Sequence, residues 1–260
     1  MTLLTDKIVI VTGAAGSIGF ATAQVLAREG AKLTLVDING EKLKEKAGEL
    51  TATGVEVEVV QADCSVEADV RRYVDATVAR FGRIDGLHNN AGTEGKLGPT
   101  ADYDVDEFDR IIRINLRSMF LGLRFTLPMM VGQGGGAIVN TASIASERGL
   151  AGACAYNASK HGVVGLTRTA ASEHGPQGIR VNCVMPGVVE TPLLNAMLLQ
   201  MFPGGIEEGQ RVLGKVATLD RIAKPSEIGE VVAFLLSDRA SFVNGSAWGV
   251  DGGALATIRH

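Results

Sequence analysis

Cysteine is scarce in this chain. Cys64, Cys154 and Cys183 are the three present, scattered and without a C-x-x-C pair. An odd, dispersed set excludes a disulfide framework and reads as reduced thiols of a cytoplasmic protein. Histidine is nearly as sparse. His88, His161, His174 and His260 form no H-E-x-x-H or other ligand spacing, so no metal site is expected. No apolar run reaches the ~18 residues of a membrane-spanning helix. The first strand-like run, Ile8–Val11, comes almost at once, with no charged leader and cleavage site before it. Positive charge is not in excess: 25 Lys and Arg against 29 Asp and Glu give a formal net charge of -4, which speaks against a nucleic-acid surface. No repeat and no low-complexity linker divides the chain.

What is present is ample apolar material. Of 260 residues, 46% are hydrophobic, enough for one large α/β domain spanning 1–260. Short β-branched runs predict strands at Lys7–Thr12, Lys32–Asp37, Val55–Val60, Ile84–Asn89, Ala137–Ala142, Ile179–Met185 and Ser246–Val250. Helix-sized segments separate them: Ser17–Arg28, Glu41–Thr53, Val66–Phe81, Asp106–Val131, Cys154–Glu173 and Ser226–Leu236. Such alternation predicts a parallel sheet with helices on both faces. Gly132–Gly136 reads as a turn within that pattern. Residues 191–220 depart from it, with Leu193, Leu194, Met197, Leu198, Leu199, Met201 and Phe202 before a Pro203-Gly204-Gly205 break. Two readings stay open, ordinary helical packing and a mobile apolar lid over a substrate.

Immediately after the first strand stands Thr12-Gly13-Ala14-Ala15-Gly16-Ser17-Ile18-Gly19, opening into a helix. Glycine there permits a tight turn against a pyrophosphate, which the free N–H groups of the helix start can bind. The spacing is G-x-x-G-x-x-G rather than the G-x-G-x-x-G dinucleotide fingerprint. Asp37 closes the second strand, 18 residues after Gly19. A carboxylate at that place accepts from the adenosine ribose hydroxyls and repels a 2′-phosphate. Neither 14–17 nor 38–40 contains Arg or Lys to offset it, so NAD is expected over NADP. Asp63 follows the third strand and can accept from the adenine amino group, and Asn89-Asn90-Ala91-Gly92 ends the fourth. Ligands of open α/β sheets bind at such strand ends.

Tyr156 and Lys160 are four positions apart in a helical segment and project from one face. An ammonium roughly 4 Å from a phenol, at an effective dielectric of about 20, favours the phenolate by about 4 kcal/mol. That brings a group of ordinary pKa about 10 toward neutrality, where it serves as an acid/base.

These features together resemble the short-chain dehydrogenase/reductase family. The likeness runs from Lys7 to Gly253 and includes the Gly-rich turn, Asp63, Asn89–Gly92, Asn115, Ser143, Tyr156, Lys160, Pro186-Gly187 and Val250–Gly253. It implies a doubly wound Rossmann sheet of seven parallel strands, a homotetramer, and hydride transfer between a nicotinamide and an alcohol or ketone carbon. By the same resemblance Tyr156 is the acid/base, and Lys160 lowers its pKa and holds the nicotinamide ribose. Ser143 bonds the substrate oxygen, and Asn115 positions a water linking Lys160 to solvent. The implied cofactor contacts are Gly13, Gly16, Ser17, Ile18 and Gly19 at the pyrophosphate. Asp37, Ile38, Asp63, Cys64, Asn90, Ala91 and Gly92 would line the adenosine side. Tyr156, Lys160, Pro186, Gly187, Val189 and Thr191 would meet the nicotinamide end. Ser17 stands where the family usually has Gly. Cys154 has no His–carboxylate partnership in the sequence and reads as packing.

A narrower likeness lies in Asn90–Lys96, Phe120–Leu123 and Lys160–Thr167, which are similar to the branch of levodione reductases and cyclohexanol dehydrogenases. It implies a cyclic or aryl secondary alcohol or its ketone, met by Ser143, Tyr156, Leu194 and Met197. Two other expectations stand beside this one: an NADPH-dependent 3-oxoacyl-carrier-protein reductase, and a non-catalytic NAD-binding module. The helix 106–131 carries more apolar residues than one core stripe needs, and a partner subunit or the chain's own core can cover them. The acidic cluster Asp102, Asp104, Asp106, Glu107 and Asp109 reads as a solvated helix start.

Overall fold

Five consecutive buried residues, Ile8–Thr12, form the interior strand β1 of the computed structural model. The structure describes residues 2–256, apart from the side chains of Leu193, Ala196, Met197, Gln200 and Met201. His260 lies outside the described residues. The other strands are β2 (Lys32–Asp37), β3 (Val57–Gln61), β4 (Gly86–Asn89), β5 (Gly136–Thr141), β6 (Ile179–Pro186) and β7 (Ala247–Val250). They form one seven-stranded sheet, ordered β3-β2-β1-β4-β5-β6-β7. Every pairing is parallel, with Val11 opposite Leu35 on one side and His88 on the other. Order reverses between β1 and β4, the switch point where ligands of such sheets bind.

Both faces are covered, as all-parallel strands require. On one face lie α1 (Ser17–Arg28), α2 (Gly40–Thr51) and α9 (Pro225–Leu236), whose Leu26, Leu43 and Val232 join Val9, Leu33 and Val184 in one core. On the other lie α3 (Glu67–Phe81), α4 (Val105–Ile112), α5 (Ser118–Gly132) and α6 (Cys154–His174). There Tyr73, Leu127 and Ala170 pack with Ile10, Leu87 and Ile138. The doubly wound Rossmann sheet expected from the sequence is present. Among the described residues no helix is long and apolar enough to cross a membrane.

Two expectations need correction. The helix drawn over 106–131 is interrupted: α4 ends at Ile112, and Arg113–Arg117 wind as a π-helical turn before α5. The side chains of that turn are pulled by distant partners. Asn115 bonds Thr93, while Arg113 and Arg117 both reach Ser65. Such turns recur at functional sites. Nor is the acidic start of α4 simply solvated. Asp104 caps the helix by accepting from the Glu107 amide at 2.7 Å, but Glu107 is buried. Its carboxylate takes two hydrogen bonds from Arg110 and one from the Lys96 amide, which hold it down to about 2.

The Met- and Leu-rich stretch forms α7 (Pro192–Met201) and α8 (Gly205–Gly214), parted at the anticipated Pro-Gly break. Thr191 caps α7 by accepting from the Leu194 amide at 3.1 Å, and Pro192 opens the helix.

Candidate active site

The turn between β1 and α1 is dictated by close approach. Gly13 has φ +66°, and a Cβ there would stand 3.0 Å from the Ala91 Cα. A Cβ on Gly19 would lie 2.1 Å from the Gly13 carbonyl oxygen, so only glycine fits. Gly16 occupies the N-cap of α1 without a capping side chain, leaving the first-turn N–H groups of Ser17, Ile18 and Gly19 for an external anion. This cradle fits a pyrophosphate. Asp37 braces it: one carboxylate oxygen accepts from the Ala15 amide at 3.0 Å and the other from the Asn39 amide at 2.9 Å. Asn39, not Asp37, caps α2. Ile38 beside it is 65% exposed and free to line an adenosine face.

Beyond β3, Cys64 is buried and Asp63 half-buried. One Asp63 oxygen accepts from both the amide and the hydroxyl of Ser65, at 2.8 and 2.7 Å. Burial, then the negative charge of Asp37, pushes the Cys64 thiol up to about 12, so it is inert. Asn90 ties three strands together. It donates to the Thr12 carbonyl at 3.0 Å, its amide N–H bonds the Thr12 hydroxyl at 2.8 Å, and its carbonyl accepts from Thr141 at 3.1 Å.

Next to this seam the first turns of α6 carry Tyr156 and Lys160. Lys160 is buried, and its ammonium donates to the Thr141 carbonyl at 2.9 Å. Its Nζ lies 5.7 Å from the centre of the Tyr156 ring. Burial lowers Lys160 to about 8. Tyr156 is shifted upward, first by burial and further by the charge of Glu94, while a hydrogen bond with Ser143 opposes the shift. The expected lysine-driven depression of the phenol is therefore not the dominant effect. Desolvation penalises both charged forms, and the ammonium is committed to a backbone carbonyl.

Ser143 is buried just beyond β5, where its hydroxyl accepts from the Ala145 amide at 3.1 Å and meets the phenol. The turn that carries it is pinned to α6 by Ser146, which donates to the Lys160 carbonyl at 3.0 Å. Asn115 closes the group from the π-helical turn. Its side chain brackets Thr93, accepting from the amide at 2.8 Å and donating to the carbonyl at 2.7 Å, and reaches the Ser159 hydroxyl at 3.3 Å. A Cβ on Gly92 would sit 3.2 Å from the Asn115 Oδ1 and 3.7 Å from the Lys160 Nζ, so these three residues meet.

Further along, Pro186 ends β6, Gly187 donates to the Val250 carbonyl at 3.1 Å, and Val189 bridges Ala223. Leu194 is half-buried in α7, and the side chain of Met197 lies outside the described residues. A cavity of about 260 Å³ opens between α8 and β7, lined by Val188, Leu213, Val216, Leu219, Arg221 and Asp251 among others. Ser143, Tyr156 and Lys160 do not line it. Among the described residues no cluster of His, Cys, Asp or Glu could hold a metal. Sequence reasoning missed Thr12, His88, Glu94 and Thr141. Polar residues closing otherwise apolar strands were the available signal for three of them; Glu94 gave none.

A family model described as Enoyl-(Acyl carrier protein) reductase matches residues 13–254. Levodione reductase of Leifsonia aquatica is 48% identical over 98% of this chain and 96% of its own. The chain belongs to the short-chain dehydrogenase/reductase family. It is thus an oxidoreductase. Cyclohexanol dehydrogenase of Acinetobacter sp. (strain SE19) is 38% identical, over 95% of this chain and 94% of that one. Among solved structures, levodione reductase superimposes with a TM-score of 0.93 at 46% identity, covering 98% of this chain and 100% of that chain. NAD+-bound xylitol dehydrogenase gives 0.90 at 36%, covering 96% and 99%. L-Sorbose reductase of Gluconobacter frateurii, complexed with NADPH and L-sorbose, gives 0.94 at 31%, covering 99% and 100%. Family membership agrees with the seven-stranded sheet and with the placing of the Gly-rich turn at its switch point.

Proposed function

We propose that this family member interconverts an apolar cyclic or aryl secondary alcohol and its ketone, using NAD. The observation that carries the reading is the meeting of Ser143, Tyr156 and Lys160 beside the uncapped start of α1. When bound, the nicotinamide accepts hydride from the alcohol carbon or returns it to the ketone. Tyr156 moves the proton of the reacting oxygen, and Ser143 holds that oxygen. Burial keeps the phenol protonated at neutral pH, the form that donates to a ketone; alcohol oxidation gains as rising pH frees the phenolate. Lys160 places its positive charge near the ring and close to Gly92, where the cofactor ribose would lie. Asn115, its side chain taken up by Thr93 and Ser159, holds the π-helical turn against the loop that carries Gly92.

NAD rather than NADP rests on Asp37, whose carboxylate stands at the turn with the exposed Ile38 after it. The same charge disfavours the carrier-protein reductase reading, which calls for NADPH. The complete Ser143, Tyr156, Lys160 and Asn115 set gives a non-catalytic module no support. A cyclic substrate is supported by the named activities of levodione reductase and cyclohexanol dehydrogenase, with Leu194 and Met197 on the apolar helix α7. A homotetramer accords with exposed apolar residues on α4 and α5, Phe120 at 48% among them. Three free cysteines suit a cytoplasmic setting.

The decisive test is Tyr156→Phe. Turnover of cyclohexanol-type alcohols should fall by roughly a thousandfold or more while NADH binding by fluorescence stays near wild type. Substantial remaining activity would remove Tyr156 from the mechanism. Asp37→Ala should raise kcat/KM with NADP relative to NAD, and an unchanged ratio would remove the argument from Asp37.

A further inference from the structure

Linked to Lys160 through Thr141 is a buried histidine that the proposed chemistry does not use. His88 sits near the end of β4 with no exposed surface. Its Nε2 is 3.0 Å from the Thr141 hydroxyl, and its Nδ1 is buried without a partner among the described residues. The directions of the surrounding bonds fix its tautomer. The Asn90 side chain donates through Nδ2 to the Thr12 carbonyl, which can only accept, so its Oδ1 faces Thr141. The Thr141 hydroxyl must spend its single proton on that Oδ1. It can then only accept from His88, which requires the proton on Nε2 and leaves Nδ1 bare. Thr141 is also the residue whose carbonyl receives the Lys160 ammonium, at 2.9 Å.

We infer that His88 is a positioning residue: its Nε2–H orients Thr141, and Thr141 in turn sets both the Lys160 ammonium and Asn90. A directed chain runs from His88 through Thr141 and Asn90 to Thr12, whose hydroxyl receives the Asn90 and Ala91 amides at 2.8 and 3.1 Å. It joins β4, β5 and β1 where the nucleotide turn and the acid/base pair meet. Aliphatic packing alone does not account for it, since a buried imidazole with an unmatched nitrogen is costly. Burial alone pushes His88 down to about 3, so the ring stays neutral and the chain keeps one polarity at ordinary pH. Among the described residues Tyr156 and Cys183 are the ionisable groups that face Lys160, and no charged neighbour shifts His88.

The inference rests on the reading of Tyr156 as acid/base, and one set of variants separates the two. His88→Val removes the donor at similar bulk, while His88→Gln can place an N–H where Nε2 was. H88V should lower kcat/KM roughly tenfold and move the acid-side inflection of its pH profile, with H88Q restoring most of both. Thr141→Val should reproduce the H88V defect, and the double variant should be no worse than T141V alone. T141V also carries the test should H88V fail to fold. Wild-type kcat/KM and inflection in H88V would overturn the inference, as would an H88Q as impaired as H88V, or additive losses in the double variant. If Y156F keeps its activity, the acid/base reading itself fails. If Y156F is inactive and H88V is normal, only the role of His88 does.

Discussion

At the scale of single residues, the site is governed by desolvation more than by charge pairing. Lys160 is buried and Tyr156 half-buried, and each is pushed toward its neutral form. Glu94 adds to this. It is exposed, yet its loop is drawn over the site because Asn115 grips Thr93 and Gly92 lies against Lys160. Its negative charge disfavours the phenolate. Glu94→Gln should therefore lower the Tyr156 pKa and move the acid-side limb of alcohol oxidation to lower pH, with kcat on the high-pH plateau little changed. A kcat/KM titration from neutral to alkaline pH checks this, and an unmoved or upward-moved limb would show that Glu94 does not act on the phenol. The effect is modest because the carboxylate is solvated and screened by salt.

At the scale of elements, the open question is whether α7 and α8 form a cover or ordinary packing. They meet closely: a Cβ on Gly209 would lie 2.6 Å from the Leu198 Cδ2 and 2.8 Å from the Phe202 Cδ2. Gly209→Val must pry the pair apart. If the pair covers the substrate, KM for a cyclic ketone should rise roughly fivefold with kcat and Tm nearly unchanged. If it is part of the core, Tm should fall and KM stay constant, because overpacking then costs about 1–3 kcal/mol of global stability. The elements themselves were largely legible, for identifiable reasons. β1 is buried on both faces, so Ile8–Val11 reads as an unbroken apolar run. The Gly-rich turn shows because Gly13 and Gly19 admit no side chain. The π-helical turn did not show, since its cause, the grip of Asn115 on Thr93, joins residues 22 apart in sequence. The same holds for His88 and Thr141, which meet only once β4 and β5 are paired. The direction of the Tyr156 shift was hidden too, because spacing reveals a neighbouring charge but not the loss of water around it.

At the scale of the whole molecule, the same buried groups set how stability responds to acid. His88 ionises at about 3 in the folded chain against an ordinary value near 6.5. Protonation therefore favours the unfolded chain. The stability linked to His88 is complete above pH 6.5 and is lost as pH falls from there toward 3. Glu107 and Glu227, each held down to about 2 by Arg110 and Arg221 respectively, lose theirs in a lower window, as pH falls from about 4.5 toward 2. The two windows predict an acid limb in two parts, which urea unfolding at stepped pH can resolve. The upper part should amount to a loss on the order of a few kcal/mol. In His88→Gln the decline between pH 6.5 and 4.5 should vanish while the decline below 4.5 persists, because a glutamine has no proton to gain and the two carboxylates are untouched. A single limb beginning only below pH 4.5 in the wild type would mean that His88 finds a way to be protonated in the fold, and the fixed polarity of the chain linked to Lys160 would fail with it.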